Sequence, residues 1–170
     1  MARYRARVKP IINLEDVALE HHAHGDRFEA RDGSIGEAIG ARLLGYSLCV
    51  VPAGKRAWPY HCHHVNEEMF LVLEGTGVLR TGDREYPLRP GDVIAAPPGD
   101  ATTAHQIINN SDRELRYVAV STKIAGEIVE YPDSGKVSVY VGSAPGADPA
   151  PRTFNFRGRL GPRAEYWDGE

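Results

Sequence analysis

The chain has 170 residues and a formal net charge of −3. That length suits one domain, and so mild a charge gives no electrostatic drive towards nucleic acid or an anionic membrane. No stretch approaches the roughly 18 apolar residues of a membrane span. The basic start, Met1 to Arg7, is followed by no apolar region, so a secretory signal is not expected. Two cysteines, Cys49 and Cys62, with no C-x-x-C, give no disulfide framework and fit a cytoplasmic location.

Eighteen Gly and twelve Pro punctuate short apolar runs, a pattern of strands and turns rather than helices. Residues 1–42 read as an irregular N-terminal arm, with Asn13 to Val17 as a turn of helix or a peripheral strand. Strands begin at Leu43 to Val51, and Pro52-Ala53-Gly54 turns the chain. Glu68 to Leu73 is a strand broken by Gly75-Thr76-Gly77. Val78 to Thr81 and Arg84 to Leu88 flank Gly82-Asp83, a two-residue hairpin signal. Pro90-Gly91 suits the centre of a type II turn, followed by a strand over Asp92 to Ala96. His105 to Asn109, Leu115 to Ser121 and Val137 to Val141 complete the set. Eight or more short strands are most economically closed into an antiparallel barrel or jelly roll over residues 43–142, because closure removes open edges. Residues 143–170 form an extended tail that begins with a Pro/Ala-rich linker. It ends on Tyr166-Trp167, an aromatic pair expected to pack on the barrel or on a second subunit.

The chemistry concentrates between Gly54 and Asn109. His61 and His63 are two apart, so on an extended strand both side chains point to one face. Three imidazoles and a carboxylate among Gly and Pro turns are what a mononuclear divalent-metal site needs. On an unbroken strand Glu67 would share the face of His61 and His63. Glu68 can take that place only if a turn or bulge over residues 64–67 resets the parity, a geometry that Asn66 tolerates, so the residues alone leave both acids as candidates.

The run Gly54 … His61-Cys62-His63 … Glu68 … Gly75, with Gly91 … Pro97-Pro98-Gly99 … His105 … Asn109, resembles the paired motifs of the cupins. The segment His61 to Phe70 is similar to that of single-domain bacterial cupins. Two spacings depart from the general pattern: six residues separate Gly54 from His61, and five separate Gly99 from His105. The resemblance implies an all-β double-stranded β-helix. It implies His61, His63, Glu68 and His105 as ligands of one divalent ion (Fe, Mn, Ni or Zn), and a homodimer. Face-sharing places Phe70, Val72, Ile107 and Asn109 in a mostly apolar pocket wall. His64 is a candidate proton shuttle, and Glu67 a rim acid or a partner behind a ligand. Cys62 should point away from the ligands. His21-His22-Ala23-His24 reads as a surface or interface cluster. Lys55 and Arg56, near the entrance, leave room for a phosphorylated substrate.

Such a site suits a metalloenzyme acting on a small oxygenated metabolite, by oxygenation or by isomerisation through an enediolate. The competing reading is a binding module for a sugar or other small molecule, since fold does not fix function.

Overall fold

The computed structural model describes residues 9–142 and 152–170. The basic start and the Pro/Ala-rich linker of the sequence reading lie outside them. The described chain is a double-stranded β-helix of two facing walls. One wall has the order β1 (Glu20–His24), β2 (Phe28–Ser34), β3 (Leu44–Val51), β10 (Leu115–Thr122), β5 (Glu68–Glu74) and β8 (Val93–Ala96). Opposite it lie two sheets. One runs β13 (Phe154–Gly158), β12 (Lys136–Val141), β11 (Glu127–Tyr131), β4 (Cys62–His63). The other runs β7 (Arg84–Leu88), β6 (Gly77–Thr81), β9 (His105–Ile108). A bridge between His61 and His105 joins these two into one continuous wall.

The barrel interior is apolar, as the period-two patterning of its strands requires. Val51, Phe70, Val72, Ile94, Leu115 and Tyr117 form its buried centre. A second cluster, with Val17, Ile35, Leu48 and Val50, lies on the outer side of β3 under the arm. Glycine is required where the walls turn. Gly91 has φ 91° between Arg89 and Asp92, whose N–H donates to the Arg89 carbonyl over 3.1 Å. Gly75 has φ 79°, and a side chain there would collide with the Glu114 carbonyl.

The arm is more regular than its glycines suggest. β1 and β2 form a hairpin that extends the larger wall by pairing β2 with β3. A short helix, α1 (Ile35–Ile39), then ends on Gly40 in the left-handed conformation. Asn13 caps the single 3-10 turn at Leu14–Asp16. β13 adds an edge strand to β12, and Tyr166 and Trp167 remain 84% and 76% exposed. They touch each other edge to face. No helix is long and apolar enough to cross a membrane, among the described residues.

Candidate metal centre

The bridge that joins the two sheets is also the floor of the site. His61 and His105 exchange both backbone hydrogen bonds, at 3.2 and 2.8 Å, which sets their imidazoles side by side with ring centroids 4.8 Å apart. His63 follows at β4 on the same face. Glu68 comes from the other wall, at the first position of β5. Its Oε2 lies 3.1 Å from His105 Nε2, 3.3 Å from His63 Nε2 and 3.7 Å from His61 Nε2.

The parity change that selects Glu68 over Glu67 is built by Asn66. This side chain is buried and holds the crossing between walls. Its Oδ1 accepts from the Ile124 N–H at 2.7 Å and the Thr122 hydroxyl at 2.9 Å, and its Nδ2 donates to Glu127 at 2.6 Å. The sequence reading relied on Asn tolerating unusual backbone angles. No non-Gly residue among those described has positive φ, so Asn66 acts through its amide instead.

Glu127 is the residue that sequence reasoning missed. Its side chain is fully buried, and its oxygens accept from the N–H groups of Val65, Asn66 and Ile128. It also meets His63 Nδ1 at 3.2 Å. His61 Nδ1 meets the Pro59 carbonyl at 2.8 Å. A carbonyl only accepts, so His61 carries its proton on Nδ1. The Glu127 carboxylate favours the same for His63. Their Nε2 lone pairs then face the Glu68 carboxylate. Acceptors facing an anion repel unless protons or a cation lie between them. Burial opposes charge on His63, but Glu127 and Glu68 outweigh it and raise its pKa to about 9. Burial likewise pushes Glu68 up, and His105, His61 and His63 outweigh it to hold the carboxyl well below its ordinary value.

The donor chemistry therefore fits a divalent cation. Imidazoles and one carboxylate suit first-row ions. Two ligands at about 2.1 Å from an ion and at right angles are about 3 Å apart. Donor atoms of His61, Glu68 and His105 lie within 4.8 Å of one another, and His63 joins this set through Glu68 at 3.3 Å. The Nδ1 partners of His61 and His63 are the orienting contacts that metal-bound imidazoles ordinarily carry.

Above the centre opens a cavity of about 390 Å³. His61, His63 and Glu68 line it, with Ser47, Ser121 and Thr122 from β3 and β10. Tyr131, Tyr140 and Arg157 come from β11, β12 and β13. Other residues than those face-sharing suggested therefore build the wall. Phe70 and Ile107 line only a smaller cleft behind His105. Val72 belongs to the barrel centre. Asn109 is fully buried and donates to the carbonyls of Val51, Pro52 and Arg113, so it pins a turn. The inward faces of β5 and β9 continue into the barrel core, and the mouth is walled by other strands.

The two candidate acid–base residues are outside the cavity lining as well. His64 turns to the outer face and meets Glu130 at 3.0 Å. Glu67 is exposed, its backbone tied to Thr122. Lys55 is held by the Asp26 carbonyl at 2.8 Å and Arg56 lies near Gln106, so neither lines the cavity. Cys62 packs against Tyr60 and Ala104, and its sulfur lies within 4.8 Å of donor atoms of His64 and Glu130 rather than with the His61, Glu68 and His105 group. Cys49 does line the cavity, but burial, then Asp32, pushes its thiol up to about 12, which removes it as a thiolate nucleophile.

The cupin domain family model matches residues 47–121, which hold the four converging side chains. In structure the chain is similar to an Acidithiobacillus ferrooxidans protein provisionally named a sugar phosphate isomerase. The two share 29% identity and a TM-score of 0.70 over 77% of this chain and 86% of that one. A sugar phosphate isomerase of the cupin superfamily from Silicibacter pomeroyi shares the fold, with TM-score 0.74 and 23% identity over 88% and 92% of the chains. Among curated proteins, an uncharacterised protein of Methanocaldococcus jannaschii is 26% identical over 115 residues, 68% of this chain and 80% of its own length. Cupincin of Oryza sativa subsp. japonica is 32% identical over 101 residues, and the match spans only 21% of that protein.

Proposed function

The chain belongs to the cupin superfamily, and from that premise we propose that it is a metal-dependent enzyme acting on a small hydroxycarbonyl compound, with isomerase-type proton transfer. One observation carries the reading: three imidazoles and Glu68 converge, from two walls, at the floor of a cavity of small-molecule size. His61, His63, Glu68 and His105 would hold one first-row divalent ion. When bound, such an ion supplies Lewis-acid polarisation of a carbonyl and its neighbouring hydroxyl.

The chain's own residues supply the rest. Ser47 and Ser121 offer hydroxyls to a polyhydroxy substrate along one side, while the Thr122 hydroxyl is committed to Asn66 and the Glu67 N–H. Tyr131 and Tyr140 offer phenol protons on the other. Burial pushes the Tyr140 phenol up, and hydrogen bonds from Ser138 and Arg157 outweigh it and lower it. That places the Tyr140 hydroxyl as the group of the cavity best suited to exchange a proton with substrate oxygen or carbon. The likeness to the Acidithiobacillus protein supports isomerisation over oxygenation.

The binding-module reading draws on one observation: neither His64 nor Glu67 reaches the cavity. A panel of aldoses, ketoses and their phosphates, incubated with the protein in D₂O and followed by proton NMR, separates the readings. Deuterium entering beside the carbonyl, abolished by a chelator and restored by metal, supports the isomerase. Oxygen uptake would mean oxygenase chemistry, and tight metal binding with no exchange across the panel would mean a binding module.

We also propose a homodimer in a cytoplasmic setting. The exposed Phe154, Phe156, Tyr166 and Trp167 support association, since such a surface is costly in water. Sedimentation at micromolar concentration showing only an 18.7 kDa species would refute it.

A further inference from the structure

β13 returns the chain along β12 with Arg157 directly opposite Ser138. Cross-strand partners share a face of the sheet, so the guanidinium lies over the cavity side of β12. Its Nε donates to the Ser138 hydroxyl at 2.9 Å, and an Nη2 hydrogen donates to the Tyr140 hydroxyl at 2.7 Å. Ser138 is fully buried, which fixes this platform. Arg152 stacks on the Tyr140 ring, 4.3 Å from its centroid, and adds positive charge beside it.

Like Arg27 and Arg113, Arg157 has no carboxylate partner among the described residues, but it is the one of the three that lines the cavity. Arg31, Arg80 and Arg116 each hold a carboxylate, at 2.6, 2.7 and 3.0 Å. Among the described residues no carboxylate pairs with Arg157, and its Nη1 has no partner. The carboxylates that line the cavity are already matched: Asp32 meets His22 at 3.1 Å, and Glu68 meets the three imidazoles. A guanidinium is always charged and its fork fits a carboxylate or a phosphate. Held by two neutral hydroxyls at the cavity wall, it is poised for an anion from solution.

The metal centre is close by. Ser138 Oγ donates to the Tyr131 hydroxyl at 3.5 Å, and the Tyr131 ring stacks 6.2 Å from that of His61. One tyrosine therefore spans from the guanidinium's platform to the ligand cluster. We propose that Arg157, on its Ser138–Tyr140 platform, binds the anionic terminus of a short-chain substrate, a phosphate ester or a carboxylate, while the hydroxycarbonyl end lies at His61 and Glu68. The inference rests on the proposed metal-dependent reading for the second end of the substrate, and assigns to the tail strand the selection of an anionic compound.

Three 2-hydroxy acids test it: glycerate, malate and 3-phosphoglycerate. They share one chelating head and differ at the far end, which is neutral, carboxylate or phosphate. Metal content is measured first. Calorimetric titration of the full chain is then run with the wild type, Arg157→Gln and Arg157→Lys. The wild type should bind at least one of the charged-ended acids about 10- to 100-fold more tightly than glycerate, as a charge-assisted pair requires. Whichever of malate and 3-phosphoglycerate gains more identifies the terminus. Arg157→Gln should erase that preference and leave glycerate affinity and thermal melting near wild type, and Arg157→Lys should keep part of it. A purely structural role would weaken all three acids alike. Equal affinities in the wild type, or a preference that survives Arg157→Gln, would overturn the proposal. A protein found to hold no ion would refute the metal centre alone, because the three-acid comparison still reads Arg157.

Discussion

His22-Ala23-His24 on β1 and His61-Cys62-His63 at β4 have the same spacing, and both runs are extended. On β1 the imidazoles lie at the outer edge of the larger wall. His22 stacks on Trp58 with ring centroids 4.7 Å apart and meets Asp32, while His21 meets Glu29 at 3.3 Å. Each has its own carboxylate, and His24 is exposed. At β4 the two imidazoles share one carboxylate with a third, His105, brought in by the bridge across β9. Spacing puts two histidines on one face. His22 also faces inward, opposite the core residue Ala30, but meets only Asp32; convergence needs a carboxylate reaching across from another wall, which Glu68 supplies at β4.

The largest effect that sharpens this contrast comes from the shared anion. Glu68→Gln should lower divalent-metal affinity by more than about 100-fold, and His61→Ala or His105→Ala should act similarly, because each removes a ligand from a site with no spare one. Calorimetry on the chelator-treated protein reads this, and an affinity unchanged in Glu68→Gln would break the contrast.

Next comes Glu127. Glu127→Gln keeps the shape but weakens the hold on His63 Nδ1 and leaves backbone N–H groups poorly paired. We expect about a 10- to 100-fold loss of metal affinity and about 1–3 kcal/mol of stability, read by titration and denaturant melts. Loss of stability with metal affinity intact would show that Glu127 only braces the 64–67 crossing.

The pH dependence should be smaller and of definite sign. In metal-free protein His63 has a folded pKa of about 9, raised from 6.5. Its stabilising contribution is complete below about 6.5 and is lost as pH rises through about 9. Glu68 is depressed from 4.5. Its contribution is present above about 4.5 and falls away at lower pH. Metal-free protein should be most stable between those limits. Metal affinity should climb with pH up to about 9, as the proton on His63 is displaced. A flat affinity from pH 6 to 9 would contradict the coupling.

The smallest effect is expected at the other histidine run. His24→Ala should leave metal content unchanged and shift stability by less than about 0.5 kcal/mol, as thermal melting would show.

Much of the barrel was legible because its turns are written in Gly and Pro: Gly82-Asp83 closes β6 onto β7, and Pro90-Gly91 turns the chain before β8. The convergence of His61, His63, Glu68 and His105 was legible from spacing and family resemblance together. The cavity wall was not. Strand parity says which residues share a face, but not where along the barrel that face stops being core and becomes mouth. Phe70 and Val72 therefore fell on the core side. Glu127 was hidden because its partner His63 is 64 residues away. A lone acid opening the apolar run Ile128-Val129 was its only local sign. Arg157 was hidden by the Pro/Ala-rich segment before it, which reads as the end of the fold although β13 follows.

Anomalous diffraction from crystals of the protein purified without added metal tests the central claim most directly. One first-row ion should appear about 2.0–2.3 Å from the Nε2 atoms of His61, His63 and His105 and from a Glu68 oxygen. An ion instead at His22 and His24, or at Cys62 and His64, would contradict the account.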